Sequence, residues 1–243
     1  IDAKTGTILR AGIPSILNPL DRHAVEEALR LREVHGGVVT VISMGPRQAR
    51  TALEDTLIMG ADRAFLLSDA AFAGSDTLAT SYALAQAIQR LGTYNLVICG
   101  METSDSGTGH IAASLAEWLD LPQVTCVRKL EIKESRLYAE RVVEDGYQEW
   151  EATFPAVLSV TKDINTPRAM RLRSVAEAAD KGITTWGVSD LDLDPKLVGL
   201  AGSPPQVPRV FRPKPRKQAD IIEGPAPQAV DTLVARLRKL RAI

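Results

Sequence analysis

The sequence has 243 residues, 45% of them hydrophobic and only 5% aromatic, with a formal net charge of −1. That length allows one large domain or a domain with an appendage, and a charge so near zero gives no reason to expect nucleic acid or an anionic membrane as the main partner. No apolar run approaches the roughly 18 residues that span a bilayer, and no secretory leader is expected.

The first residues, Ile1-Asp2-Ala3-Lys4-Thr5-Gly6-Thr7, read as a loop that follows something, so an opening strand is expected ahead of them. Asp21 is then expected to cap an amphipathic helix over 21–34, with Ala24, Ala28 and Leu31 on one stripe. Val38 to Met44 is a run suited to a strand covered on both faces. A helix over 46–59 starts with Pro46 in its first turn and stops at Gly60. Arg63 to Leu67 is the next strand. Asp76 caps a helix over 76–91 that carries Leu84, Ile88 and Leu91 and stops at Gly92. Asn95 to Gly100 is a third strand, followed by a helix over 108–119 with Ile111, Leu115 and Leu119. Such alternation implies a doubly wound, mostly parallel sheet of the α/β class.

The stretch 124–150 differs. Val124 to Val127 and Leu137 to Val143 flank the polar Lys133-Glu134-Ser135, and Glu144-Asp145-Gly146 makes a second turn, which reads as an antiparallel β-hairpin addition. Pro155 to Val160 returns to the buried-strand pattern, and Ser174 to Ala179 reads as a short helix. The division into domains is placed at 185/186. Residues 186–243 are expected to form an extended arm, acidic from Asp190 and Pro-rich over 203–215, which excludes regular helix or central strand there. The arm ends in a helix over 226–241 with Val230, Leu233, Leu237 and Leu240 on one side, expected to pack on a partner or on the parent domain. The cations at its end, Arg236, Arg238, Lys239 and Arg241, suit a solvated helix terminus.

The chemistry-bearing residues are sparse. The dinucleotide and P-loop glycine signatures are absent, as are metal-ligand spacings, so no catalytic residue and no metal ligand is expected. His23 and His35 are expected at the surface, and Cys99 and Cys126 as buried free thiols in a reducing compartment. The most informative segment runs from Cys99 to His110. A buried strand ends, a loop of hydroxyl residues and glycines follows (Thr103, Ser104, Asp105, Ser106, Gly107, Thr108, Gly109), and a helix begins. Glycine lets backbone N–H groups approach an anion, hydroxyls add donors, and a helix N-terminus adds partial positive charge. A plain strand–turn–helix corner would look the same. Two further turns at strand or helix ends favour a nucleotide pocket: Asn18-Pro19-Leu20-Asp21 and Met44-Gly45-Pro46.

These residues resemble the β subunit of electron transfer flavoproteins, the family that includes FixA-type proteins. The likeness covers Asn18 to Asp21, Ala24 to Leu31, Val39 to Pro46, Met59 to Ala64, the Gly100–Gly109 loop, Leu121 to Thr125, Pro155 to Val157, Asn165 to Arg168 and Val198 to Pro204. It implies a Rossmann-like fold akin to the adenine nucleotide alpha hydrolases. It also implies pairing with an α subunit that carries FAD, and AMP held structurally in this chain. The nucleotide would be enclosed by Asn18, Pro19, Leu20, Asp21, Met44, Gly45 and the run from Thr103 through His110, Ile111 and Ala112. The segment 168–182 matches the loop that docks acyl-CoA dehydrogenases, with Leu172 as apolar anchor beside Arg173, Ser174 and Val175. Charge around an apolar knob is the anatomy of an interaction hot spot; a buried helix-start leucine is the other reading.

The family's bifurcating branch holds a second FAD where AMP would be and takes hydride from NADH. Ser106, Gly107, Gly109, His110 and Ala112-Ala113 depart from the commoner residues, which leaves AMP or FAD open, with AMP preferred. With AMP the chain has no catalysis of its own; with FAD it is an oxidoreductase. A stand-alone adenine-nucleotide-binding α/β protein is the alternative of another class, and the Pro-rich arm argues against it. The expected location is the cytoplasm of a bacterium or archaeon, or the mitochondrial matrix in a eukaryote.

Overall fold

The structure, a computed structural model, describes residues 15–205 and 221–242; the side chain of Leu172 lies outside the described set. The opening loop at 1–7 and most of the Pro-rich run, from 206 on, therefore fall outside it.

The first described helix, α1 (Pro19–His35), begins behind Asn18 with proline in its first turn and ends at Gly36. Asp21 lies inside the first turn and is not the cap, contrary to the expectation; the proline at N1 sets the start, because its missing N–H would be unbonded there anyway. β1 (Thr40–Met44) follows, then a short 3-10 turn and α2 (Arg50–Met59), β2 (Arg63–Leu67), α3 (Thr77–Leu91) and β3 (Leu96–Gly100). α3 is capped as expected: the Asp76 carboxylate accepts from the Ala79 N–H at 3.0 Å. α4 (Ile111–Leu119) starts three residues later than predicted, behind Gly107 and Gly109, whose φ of 59° and 66° no helix can hold.

β4 (Gln123–Lys133), β5 (Arg136–Val143) and β6 (Gly146–Thr153) form the antiparallel addition, and β7 (Ala156–Val160) returns to the centre. α5 (Leu172–Ala179), β8 (Thr184–Trp186) and α6 (Val188–Leu191) complete the main unit.

The strands make parallel-rich open sheets of Rossmann-like type, but in two pieces. One has the order β1-β2-β8, all parallel; the other runs β3-β7-β4-β5-β6, parallel as far as β4 and antiparallel beyond. Helices span the division. α1 sends Val25 and Leu29 into the core over β2 and α2, and Ala24 into the core over β7 and β4. On the other face, Leu84 of α3, Ile42 of β1, and Val97 and Cys99 of β3 all pack against one core built around Ile88, Leu115 and Val157. β7 is buried at every position, as a strand covered on both faces must be.

Residues 186–205, whose acidic and proline content suggested the start of an arm, bring Leu191, Leu193 and Val198 into a core with Phe72 and Tyr82. Ser203 Oγ accepts from the Asp76 N–H at 2.8 Å, so this segment also closes the N-terminus of α3. The compact unit includes all of the described residues from 15 to 205. The last helix, α7 (Ala226–Lys239), belongs to a separate compact unit and has no buried residue, leaving Val230, Leu233 and Leu240 exposed.

Candidate functional site

The β3–α4 loop and the start of α1 meet at the carboxyl end of β3. The contact is close: a Cβ on Gly100 would lie 2.7 Å from the backbone of Leu20 and Asp21, so only glycine lets the helix start approach the strand end. Asp21 Oδ1 accepts from the Gly100 N–H at 2.7 Å. Asn18 does more. Its side-chain amide donates to Asp21 Oδ2 at 2.8 Å and to the Glu102 carbonyl at 2.9 Å, while its Oδ1 accepts from the Ser104 N–H at 3.1 Å. One asparagine thus fixes both the α1 start and the first half of the loop. Inside the loop Thr103 and Ser106 share a hydroxyl bond of 2.7 Å, and the Gly107 N–H donates to the Thr103 carbonyl at 2.8 Å.

Ser104, Asp105, Ser106, Gly107, Thr108, Gly109 and His110 are all exposed. His110 precedes the first turn of α4 and makes no side-chain cap bond to it. Ala112 is buried and Ile111 half-buried against the α3–α4 core, so what they can offer a ligand is backbone N–H. The donor set suits a phosphate held by amides and hydroxyls. Glu102 and Asp105 bring acid rather than cations to the rim, so the helix terminus must carry the attraction.

Met44 and Gly45 end β1 across the division between the sheets. Gly45 donates to the Leu67 carbonyl at 3.0 Å, and Met44 packs toward the Leu67 core. The bonded cluster therefore unites Asn18 to Asp21 with the 100–110 loop, and the third turn is held separately. Cys99, enclosed by protein behind the loop, has its thiol pushed up to about 12 by burial and by the Asp21 carboxylate. Both cysteines are free.

A second bonded group lies along α1, and local spacing gave no sign of it. Arg168 donates to both carboxylate oxygens of Glu26 (2.8 and 3.2 Å), adds its backbone N–H, and reaches Glu33 at 2.7 Å. Glu26 is 3% exposed and Glu27 7%. Burial drives the Glu26 carboxyl up, but the Arg168 and Arg30 bonds outweigh it and hold it below the usual range. Burial drives the Glu27 carboxyl up, and the Asn165 amide at 2.9 Å and the Arg30 charge do not offset it, so it stays above the usual range. His23, expected at the surface, is half-buried because its Nδ1 meets the Asn165 carbonyl groups at 3.0 and 3.1 Å. This clamp holds the 165–168 segment ahead of α5. On α5, Arg173 pairs with Glu177, Ser174 is half-buried, Val175 is 46% exposed, and Leu172 is the first helical residue.

The model of the electron transfer flavoprotein domain matches residues 5–191. The chain belongs to the electron transfer flavoprotein family. It is 44% identical to the electron transfer flavoprotein subunit beta of Thermoanaerobacterium thermosaccharolyticum, over all of this chain and 94% of that one. It is 40% identical to the caffeyl-CoA reductase-Etf complex subunit CarD of Acetobacterium woodii, again over all of this chain and 94% of the other. The protein FixA of Rhizobium meliloti is 40% identical over 96% of this chain and 84% of its own length. Within the electron transfer flavoprotein family these relatives are of the β-subunit and FixA type, and electron transfer is the family's activity. Among the described residues no helix is long and apolar enough to cross a membrane.

Proposed function

We propose that this chain is the β subunit of a heterodimeric electron transfer flavoprotein that holds AMP structurally and docks an acyl-CoA dehydrogenase-type flavoenzyme. Electrons are carried by FAD in the partner α subunit. The observation that carries the nucleotide reading is the Asn18 bridge: one side chain aligns the α1 start, the Glu102 carbonyl and the Ser104 N–H beside the exposed loop residues 105–110 and the start of α4, where His110 makes no side-chain cap bond. In this reading the loop amides and hydroxyls take the phosphate, Asn18 and Asp21 keep the loop open toward it, and Gly107 and Gly109 supply the backbone turns that a side chain would strain.

Docking falls to the exposed start of α5, with Arg173 and Val175 beside Leu172. The apolar stripe of α7 is the seat for the α subunit, in keeping with an arm that begins after the α/β unit. The bacterial relatives support a cytoplasmic location.

A second reading, FAD in place of AMP with hydride taken from NADH, is favoured by the full-length match to CarD, whose name ties that protein to a reductase complex. Nucleotide analysis separates the two. The heterodimer is purified and denatured, and the released nucleotides are counted. One FAD and one AMP per heterodimer is the expected result; two FAD would establish the second reading, and no adenine nucleotide beyond the first FAD would overturn both.

A further inference from the structure

The segment from Asn165 to Arg168 lies on the path from β7 to α5, and it is held from one side. Among the described residues, positions 165–170 pair their main chain with no other main chain. Side chains of α1 hold them instead. Arg30 donates to the Thr166 carbonyl at 3.2 Å, and the Asn165 amide donates to the His23 carbonyl at 3.0 Å as well as to Glu27. The Glu26 carboxylate takes both the guanidinium and the backbone N–H of Arg168. Beyond Arg168 the chain is exposed from Ala169 to Arg171, and α5 begins without a side-chain cap bond. The next hold is at the far end of α5. There Ala178 is buried among α2 and β2 residues, and Lys181 Nζ donates to the Ala61 carbonyl at 2.8 Å. The exposed part of α5, with Arg173 and Val175, is therefore carried between two holds, and the one nearer its start is the clasp at Arg168.

The chemistry of this clasp is poor value for stability and good for direction. The Glu26 side chain is 4% exposed and that of Arg168 31%. Taking an ion pair out of water costs much of what its attraction returns, and two apolar side chains of similar volume would hold the contact as firmly. What an apolar contact lacks is orientation. The Arg168 fork presents Nε and an Nη to the two Glu26 oxygens, while the N–H of the same residue meets Oε2. Backbone position and side-chain direction are thereby fixed together. We propose that Arg168 is a positioning residue for docking: its clasp on Glu26 fixes where the start of α5 stands, and so the pose in which Arg173 and Val175 meet a partner flavoenzyme. This rests on the docking role proposed above for α5.

The test uses the heterodimer with Arg168→Lys, with Glu33→Gln, and with Glu26→Met combined with Arg168→Met; Val175→Asp is run beside them. An ammonium cannot reproduce the fork. Glu33→Gln removes only the exposed arm of the network, a surface pair of small worth. The double variant removes both charges and keeps the volume, so a chain that needs the pair only for stability stays whole. With the dehydrogenase as electron donor, Arg168→Lys and the double variant are expected to raise the KM for the flavoprotein about fivefold or more, with kcat within about twofold of the parent. Amide exchange over 169–177 should quicken about tenfold while that of β7 and α4 holds. Glu33→Gln should match the parent. Should Arg168→Lys fail to fold, the double variant decides: a parent KM from it, or its own failure to fold, would show that the clasp serves stability alone and overturn the proposal. Val175→Asp judges the docking role separately. If that variant raises KM and the Arg168 variants do not, positioning fails and docking stands; if none of them does, docking at α5 fails and this inference with it.

Discussion

At the scale of single residues, Asn18 and Glu27 make opposite statements. Asn18 holds the loop by two bonds beyond its own helix, to the Glu102 carbonyl and from the Ser104 N–H. Each such bond contributes on the order of 1 kcal/mol. Asn18→Ala should therefore weaken AMP binding by the nucleotide-stripped heterodimer about tenfold, roughly 1.4 kcal/mol, as read by titration calorimetry. An unchanged affinity would mean that the loop does not need this bridge. Glu27 is buried, and burial raises its carboxyl above the usual range. A carboxyl whose folded value is raised binds its proton more tightly in the folded state, so its contribution to stability falls as pH rises from the unfolded value, near 4.3, through the folded one. Glu27→Gln keeps an acceptor for Asn165 and removes that loss. It should raise the melting temperature at pH 7, with the difference from the parent chain vanishing by about pH 4. A lower melting temperature at pH 7 would show that the charge is needed there.

At the scale of elements, α5 is the place to test docking. Val175 is exposed and outside the core clusters, whereas Ala178 on the same helix is buried among α2 and β2 residues. Val175→Asp should leave the melting temperature within a degree or two, as exposed substitutions usually do, and slow electron exchange with the dehydrogenase at least tenfold in stopped-flow mixing. Unchanged rates would move the docking face elsewhere. Elements with strong local chemistry were legible in the sequence. β2, β3 and β7 announce themselves as short aliphatic runs, and Asp76 and Gly92 bracket α3. α4 was misplaced by three residues because its start depends on the backbone of Gly107 and Gly109, which a helical stripe of Ile111, Leu115 and Leu119 does not report. The candidate loop was legible for the same reason as the strands, since hydroxyls and glycines between a strand and a helix are a local pattern. The Glu26–Arg168 clamp joins residues 142 positions apart; each alone is an ordinary surface charge, and only the fold brings them together.

At the scale of the molecule, two sheets, one gap and one separate terminal helix divide the work. The α/β unit carries the candidate loop and α5, the proposed docking helix, and α7 offers an apolar stripe of its own. Alternation of strands and helices predicts a single wound sheet. The interruption became visible only when β1 and β3, more than fifty positions apart, were seen to lack a common neighbour among the described residues. One helix reaches all the main features. α1, 17 residues and so about 25 Å long, is fastened at its first turn to the β3–α4 loop, at its middle to the 165–168 segment that precedes α5, and near its end by Arg32 to Gly60 and Asp62. A rod pinned at three points transmits position without bending. In the proposed function the nucleotide loop and the docking face therefore keep a constant separation, and whatever swinging brings a donor within tunnelling range of an acceptor falls to other parts of the assembly, with this chain as the stationary frame.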